Sequence, residues 1–158
     1  MLLQFSDGTA FATGATPFTY RPVKSEEKYP RILVQVAVDD LETSAFVDTG
    51  GVFLFCSQDV GDSLQLKPED ALSVENLRWR DSSIAGTLHR VELILHAESG
   101  VSLPIEVTAF VPRLKPDEEW VSEFPLILGM HGCLEFLRFA VDPSDDTFYF
   151  GEIGESHE

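Results

Sequence analysis

Residues 45–51, with the sequence Ala-Phe-Val-Asp-Thr-Gly-Gly, constrain this chain more than any other stretch. Three apolar residues predict the end of a buried strand, and Asp48 follows them directly. A carboxylate in such a place is costly to ionise unless it is hydrogen-bonded or shares its charge with a partner. Gly50 and Gly51 permit a tight turn and a close approach of other backbone to Asp48. We therefore expect Asp48 to carry chemistry; the plain alternative is an aspartate that only holds its own turn.

Composition favours one folded domain and argues against a nucleic-acid partner. The 158 residues include twelve phenylalanines and are 44% hydrophobic, which is sufficient for a packed core. The formal net charge is −16, from 27 acidic and 11 basic residues. Such a surface repels phosphate backbones, and the arginines are scattered among acids rather than clustered. We therefore expect no binding of nucleic acid.

Targeting and metal signals are weak in this sequence. The first residues lack a basic region, and no apolar run approaches the ~20 residues of a membrane span, so we expect a cytoplasmic protein without membrane contact. Cys56 and Cys133 form no metal motif and are expected to be small buried apolar residues. The four histidines have no mutual ligand spacing. The sequence therefore predicts no metal site and no cofactor.

Alternating and β-branched residues predict a mainly β chain. A turn follows the short strand near the N-terminus, and helical turns are expected over residues 58–66 and 132–136. An acidic, proline-containing loop is expected over residues 113–123. The main predicted strands cover residues 31–38, 42–47, 52–57, 101–111 and 124–129, with a last hairpin of 138–141 and 147–150.

A long hairpin is predicted in the middle of the chain. Residues 78–84 and 87–96 read as two strands, joined at the small residues Ala85 and Gly86. An ordinary hairpin turn and a mobile flap explain this pattern equally well.

Taken together, these features resemble the retropepsin-like aspartic proteases, the single-domain relatives of pepsin. The resemblance covers roughly residues 30 to 151. It is carried by residues 45–50, by a flap-like segment over 79–90, and by residues 126–130 (Leu-Ile-Leu-Gly-Met) followed by Phe136 and Leu137. It implies a mainly β closed barrel with a flap hairpin and one short helix. Residues 1–158 would form one domain, with an extended segment over 1–30 and a protease-like core over 31–151.

The resemblance implies an aspartic endopeptidase that acts as a homodimer on peptide or protein substrates. Hydrolysis by carboxylates needs one ionised group to activate water and one protonated group to polarise the carbonyl. The chain has a single Asp-Thr-Gly, since Asp81-Ser82-Ser83 and Asp146-Thr147-Phe148 lack the glycine. The second carboxylate must then come from a second copy across a twofold axis.

Roles for individual residues follow from the same resemblance. Asp48 would be the catalytic group, Thr49 would bond across the dimer, and Gly50 would free backbone N–H groups toward the carboxylate. Substrate would contact the flap and an apolar floor. The residues implied for this are Ile84, Ala85, Gly86 and Thr87 in the flap, and Ile127, Leu128 and Gly129 in the floor. The phenylalanines are expected in the core or at a dimer interface, and by the same resemblance Phe148, Tyr149 and Phe150 could extend a sheet between subunits.

The sequence also departs from the family pattern. Gly51 stands where the family usually has Ala, Ser or Thr, so no hydroxyl is present there to stabilise the ionised carboxylate, and a mildly acidic activity optimum is expected. The flap has one glycine, and residues 130–133 replace an arginine-bearing turn. These departures keep a second interpretation open, a catalytically inactive dimerisation or peptide-binding module of the same fold. A more distant one is a small β-barrel enzyme in which Asp48 serves another chemistry.

Overall fold

The structure is a computed structural model, and it describes residues 2–22, 28–79, 81–115 and 126–154. These residues form twelve strands, one short α-helix and two 3₁₀-helices. The elements, in chain order, are β1 (Gly14–Pro17), β2 (Thr19–Arg21), β3 (Arg31–Val38), β4 (Leu41–Val47), β5 (Leu54–Phe55), α1 (Gln58–Ser63), a 3₁₀-helix at Pro68–Asp70, β6 (Ser73–Trp79), β7 (Ser82–Leu95), β8 (Ser99–Gly100), β9 (Leu103–Pro112), β10 (Leu126–Leu128), a 3₁₀-helix at Leu134–Phe136, β11 (Leu137–Asp142) and β12 (Thr147–Glu152).

The strands form two sheets. The larger has the order β2-β3-β4-β10-β5-β9-β7-β6, and a further pairing of β3 with β7 closes its six inner strands into a ring. The smaller sheet has the order β11-β12-β1-β8. Most neighbours are antiparallel, but β10 runs parallel to β4, and β5 runs parallel to β9. Because parallel neighbours cannot be joined by a tight hairpin, these pairs come from segments far apart in sequence.

The main core lies inside this arrangement and is almost entirely apolar. Alternate residues of β3, β7 and β9 point into it, so Val36, Leu93 and Val107 are each fully buried. Phe148 and Phe150 of β12 are also fully buried and close the core from the smaller sheet. Burial of a large apolar side chain contributes roughly 1.5–3 kcal/mol relative to exposure. The core is therefore the main source of stability, as the phenylalanine content predicts.

The predicted role of the last strand between subunits is wrong. Both edges of β12 are already occupied within the chain, by β11 on one side and β1 on the other. Tyr149 pairs with Ala15 and Ala140 in the two neighbouring strands. A strand with no free edge cannot add a partner strand, so residues 148–150 do not extend a sheet between copies.

The central hairpin exists, but its predicted turn is wrong. β6 ends at Trp79 and β7 begins at Ser82, and these two residues are paired, so the strands are joined between them. Ala85 and Gly86 lie within β7, opposite Asn76 and Glu75. Gly86 serves close packing instead of turning, because a Cβ there would lie 2.3 Å from the Phe110 ring. The sequence alone does not distinguish a small residue that is required for close packing from one that is required for a turn.

The other predicted elements that fall on described residues agree in kind with the structure, and some of them differ in length. The strands predicted over 31–38 and 42–47 are confirmed, and so is the last hairpin. The strand predicted over 52–57 is reduced to Leu54–Phe55, because Phe53 has a positive φ of 62° that interrupts extended backbone. Residues 116–125, which include most of the predicted acidic loop, lie outside the described residues.

Candidate functional site

Asp48 stands where two parallel strands end together. β4 pairs with β10 in parallel, with Phe46 opposite Ile127 and Val47 opposite Leu128. The backbone N–H of Asp48 donates to the Leu128 carbonyl at 3.0 Å, which extends the ladder by one residue. The position of Asp48 is therefore set by a strand from a distant part of the chain and not by its own turn alone.

The turn that follows brings backbone donors to the carboxylate. The N–H of Gly50 donates to Asp48 Oδ1 at 3.0 Å, and the N–H of Gly51 donates to the Asp48 carbonyl at 3.0 Å. Asp48 is half-buried, whereas Thr49 and Gly50 are exposed. Among the described residues, Oδ2 of Asp48 accepts no hydrogen bond. One carboxylate oxygen is thus held by the turn, and the other is available to a water molecule or a second group.

Close backbone packing supports this turn from the side of β10. Met130 N–H donates to the Gly51 carbonyl at 2.8 Å, and Gly129 N–H donates to the Phe53 carbonyl at 2.9 Å. Position 129 has no room for a side chain, because a Cβ would lie 2.6 Å from both the Phe53 oxygen and the Val52 carbonyl carbon. Gly129 therefore allows the segment after β10 to lock the Asp48 turn in place.

A second apolar cluster lies on the face of the sheet that Asp48 shares. Residues two apart along a strand face the same side, so Phe46 and its partner Ile127 are on the side of Asp48. We call the buried cluster on this side the floor cluster. Its members are Leu33, Phe46, Phe55, Ile84, Leu88, Phe110 and Ile127, with Phe53, Leu77 and Leu114 packed at its margin. An apolar surface next to a polar turn is typical of a binding site for apolar groups.

The structure brings together some of the predicted substrate residues and separates others. Ile84 and Ile127 both belong to the floor cluster, and Gly86 packs on Phe110 within it. Leu128 is fully buried in the main core on the opposite face, so its predicted place in the floor is wrong. Alternation along β10 explains this difference. Contact of any of these residues with a substrate stays a prediction.

Ala85 and Thr87 do not face the floor cluster. Ala85 is exposed, and the side chain of Thr87 is buried against His89 and Arg113 on the other side of β7. Side chains alternate between the two faces along β7, so these two residues lie on the face opposite to Ile84. The turn predicted at residues 85 and 86 hid this alternation.

Two residues of the site were missed by sequence reasoning. Phe46 carried a signal, since it lies two residues before Asp48 and therefore shares its face. Arg31 carried none. Its guanidinium lies 5.4 Å from the centre of the Phe46 ring, and β3 pairs with β4 as far as Leu33 opposite Phe46. This contact becomes visible only once the register of the two strands is known.

The described residues contain no group of three or more His, Cys, Asp or Glu side chains that could hold a metal ion. Cys56 and Cys133 are free and buried, and burial raises the pKa of each thiol to about 12. They behave as apolar core residues, as the sequence predicts. Within the described part of the chain, no helix is both long and apolar enough to cross a membrane.

Neither a protein-family model nor a curated protein sequence matches this chain. Two solved structures are similar to it in fold. A retropepsin-like aspartic protease from Rickettsia conorii superposes with a TM-score of 0.57 at 12% identity, over 89% of this chain and 94% of that one. The retroviral protease-like domain of Ddi1 from Leishmania major gives a TM-score of 0.50 at 11% identity, over 81% of this chain and 98% of that one. At these identities the likeness establishes the fold: the chain has the retropepsin-like fold, mainly β with one short helix, as the resemblance predicted.

Proposed function

We propose that this chain is an aspartic endopeptidase in which two Asp48 carboxylates, one from each copy of a homodimer, hydrolyse a peptide bond. The observation that carries the proposal is the position of Asp48. It begins an Asp-Thr-Gly turn, directly after β4 and β10 end side by side, in a retropepsin-like fold. No metal or cofactor is needed for this chemistry.

The reaction follows from the chemistry of two close carboxylates. Two such groups near ~3 Å cannot both ionise cheaply, so they share one proton. The ionised member takes a proton from a water molecule, whose oxygen bonds to the peptide carbonyl carbon, while the protonated member gives its proton to the carbonyl oxygen. The C–N bond of this tetrahedral intermediate then breaks as the newly protonated carboxyl passes its proton to the leaving nitrogen. The other carboxylate takes a hydroxyl proton back, which re-forms the carbonyl of the new carboxyl group and restores the shared proton. In each copy the Gly50 N–H donates to Oδ1 of Asp48, which leaves Oδ2 for the shared water.

The second copy is needed because the chain supplies only one such carboxylate. Its sequence holds a single Asp-Thr-Gly. Thr49 and Gly50 are exposed in the isolated chain, and so is Val52, at 39% of its surface. An exposed turn of this kind supports a twofold contact in which the same residues of both copies meet. We propose that Thr49 makes this contact beneath the two carboxylates.

We propose an extended peptide with apolar side chains around the cleaved bond as the substrate. An extended peptide binds by adding a strand to exposed backbone, and alternate side chains then enter pockets. The floor cluster supplies an apolar surface on the Asp48 side. All seven buried members of the floor cluster, Ile84 of β7 among them, are at most 8% exposed, so the β6–β7 hairpin has to move before a substrate side chain reaches them.

The two free, buried cysteines fit a reducing compartment. We propose the cytoplasm as the place of action.

A second candidate function is a non-catalytic peptide-binding or dimerisation module with the same fold. Two observations favour it. Gly51 has no hydroxyl to support the carboxylate, and the floor cluster is filled by the chain's own side chains.

The two functions separate in a cleavage assay. The purified chain is incubated with a peptide library from strongly acidic to neutral pH, beside Asp48→Asn and with a pepstatin-type inhibitor. If the chain is an endopeptidase, the wild type should cleave between apolar residues. The inhibitor should block this cleavage, and Asp48→Asn should not cleave. Cleavage that persists in Asp48→Asn, or its absence from the wild-type dimer at every pH, would contradict the enzyme and leave the binding module.

Replacement of Gly51 by Ser is expected to move the acidic limb of the pH–rate profile to lower pH. A Cβ at position 51 would lie 3.4 Å from Asp48 Oδ2, which is an ordinary contact, so the Ser hydroxyl has room near the carboxylate. A hydrogen bond to a charged group contributes roughly 1.5 kcal/mol, which corresponds to about one pH unit. The measurement is kcat/KM against pH, with Gly51→Ala as the matched control. An equal shift in both variants would show that the hydroxyl is not responsible.

A further inference from the structure

Two buried polar side chains lie side by side on the inner face of β7. Thr87 is 3% exposed and His89 is 4% exposed, and they are two of the four buried polar residues of the described chain. Residues further along the same face of β7, such as Val91, belong to the apolar main core. Buried polar groups are expensive unless they are hydrogen-bonded, so this pair requires partners.

Arg113 completes a connected polar network with this pair. Its Nε donates to Thr87 Oγ1 at 3.0 Å, and its Nη2 donates to the Leu66 carbonyl at 2.6 Å. Thr87 Oγ1 lies 2.8 Å from His89 Nε2. Arg113, which can only donate, also presents Nη2 to His89 Nε2 at 3.5 Å, and Thr87 Oγ1 can donate its own proton to the same nitrogen. This pattern favours an unprotonated Nε2, and therefore a neutral imidazole with its proton on Nδ1.

The network joins three segments at the base of the β6–β7 hairpin. Thr87 and His89 belong to β7, and Arg113 follows β9 directly, with its backbone N–H donating to the Ala85 carbonyl at 2.8 Å. Leu66 belongs to the segment that leads through the 3₁₀-helix at Pro68–Asp70 into β6. The network therefore holds the hairpin to both segments beside it.

The surroundings of His89 disfavour its charged form. Burial lowers the pKa of His89 below its usual value, and the nearby Arg113 cation lowers this pKa further, while Asp70 raises it. The neighbours across the sheet carry no charge: Val74 lies opposite Thr87 on β6, and Ala109 lies opposite His89 on β9. Asp62 and Lys67 line, with Arg113, a cavity of about 200 Å³ beside the network.

We propose that Thr87, His89 and Arg113 form a proton-sensitive latch that holds the base of the β6–β7 hairpin at neutral pH and loosens it in acid. A protonated Nε2 no longer accepts the Thr87 proton. It also places a second cation 3.5 Å from Nη2 of the half-buried Arg113, and the two like charges repel each other.

The consequence for activity rests on the proposed function. The same hairpin carries Ile84, which is itself a buried member of the floor cluster. Loosening its base exposes that surface at the acidic pH at which a shared-proton carboxylate pair works. The latch would thus restrict peptide access to acidic conditions.

The direction of the pH effect follows from linkage. A histidine whose folded-state pKa is depressed binds fewer protons in the folded than in the unfolded state, over the range between its folded pKa and about 6.5. Stability is therefore fully present above about pH 6.5 and falls as the pH drops through that range. A group that is only exposed and solvated would not show this loss.

Hydrogen–deuterium exchange of the full chain tests the latch without any substrate. Exchange of peptides that cover residues 73–95 is measured at about pH 7.5 and about pH 5.5, either side of the usual histidine pKa, and corrected for intrinsic rates. Protection in the wild type is expected to fall on the order of tenfold in acid, the size expected when one hydrogen bond of a charged network is lost. His89→Gln keeps an acceptor for Thr87 but cannot take up a proton, so its protection should be the same at both pH values.

Two further variants keep the test decisive. His96→Gln is the matched control, since His96 is a half-exposed histidine paired with Glu42 at 2.7 Å, and its change should leave the acid effect on residues 73–95 intact. Arg113→Gln removes the cation from a partly exposed side chain, and the hairpin should then exchange quickly at both pH values. If His89→Gln does not fold, Arg113→Gln carries the test. An acid effect that is absent from the wild type, or unchanged in the variants of His89 and Arg113, would overturn the latch.

Failure of the latch and failure of the proposed function give different results. Asp48 lies outside the latch, so the Asp48→Asn variant should show the same hydrogen–deuterium exchange as the wild type, whatever its activity. An active enzyme with no acid effect on exchange contradicts only the latch. If both hold, His89→Gln should lower kcat/KM at acidic pH more than near neutrality.

Discussion

A covalently linked dimer that carries Asp48→Asn in only one copy is expected to have a kcat/KM about a thousandfold lower than the linked wild type, within the roughly 10²- to 10⁴-fold range that a positioned acid or base contributes. Each carboxylate has a different task in the reaction, and one cannot perform both. Asn keeps the size of the side chain and can still accept the Gly50 N–H, so the turn should keep its shape. The measurement is cleavage of the best library peptide by two chains joined through a flexible Gly/Ser linker.

The linked wild-type dimer, and a linked dimer with Asp40→Asn in one copy, are the controls. Asp40 lies exposed in the turn between β3 and β4, so its change should leave activity within about twofold, in line with surface substitutions. Half of the wild-type activity in the Asp48 variant would show that each copy works alone. That result would contradict the shared site, even if Asp48 itself were essential.

Gly129→Ala is expected to lower the free energy of unfolding by about 3 kcal/mol, the upper part of the range for overpacking a filled site. The new Cβ would meet backbone atoms, not the end of a flexible side chain, with the Phe53 oxygen and the Val52 carbonyl carbon both at 2.6 Å. Neither can move without disturbing the hydrogen bond from Gly129 to Phe53 and the support of the Asp48 turn. Denaturant unfolding of the two proteins measures the difference, which should appear in the midpoint with an unchanged m-value.

The matched control is Gly154→Ala. Position 154 is exposed, and its nearest atom to a new Cβ is the Arg138 guanidinium at 3.6 Å, which leaves ordinary space. Its effect should stay within about 0.5 kcal/mol, as for most surface changes. Equal stability of Gly129→Ala and the wild type would mean that the segments at 52–53 and 129 do not pack as closely as described. The explanation of how the Asp48 turn is held would then be wrong.

The predictions of secondary structure are confirmed where the local sequence pattern matches the role of the segment in the folded chain. The β-branched run over 31–38 becomes β3 with the predicted bounds, because its alternating residues fill both faces of a sheet strand. The turn predicted at Ala85 and Gly86 is wrong, because position 86 needs a glycine for its close contact with Phe110 and not for a reversal of the chain. Residues 148–150 failed as an intersubunit strand, because the partners of β12 come from the first and last parts of the same chain.

By itself, the order of residues determined that a carboxylate follows a buried strand, that a glycine turn comes directly after it, and that the chain carries a single such turn. These are local properties, so they can be recognised from the alternation of hydrophobic residues and from the residue types that favour turns. The folded chain adds that β10 runs beside β4, that Ile127 joins Phe46 on the Asp48 face, and that Arg113 meets Thr87 and His89 at the base of the hairpin. Each of these contacts joins residues that are distant in sequence, so it depends on strand register and chain closure, for which no short-range pattern exists.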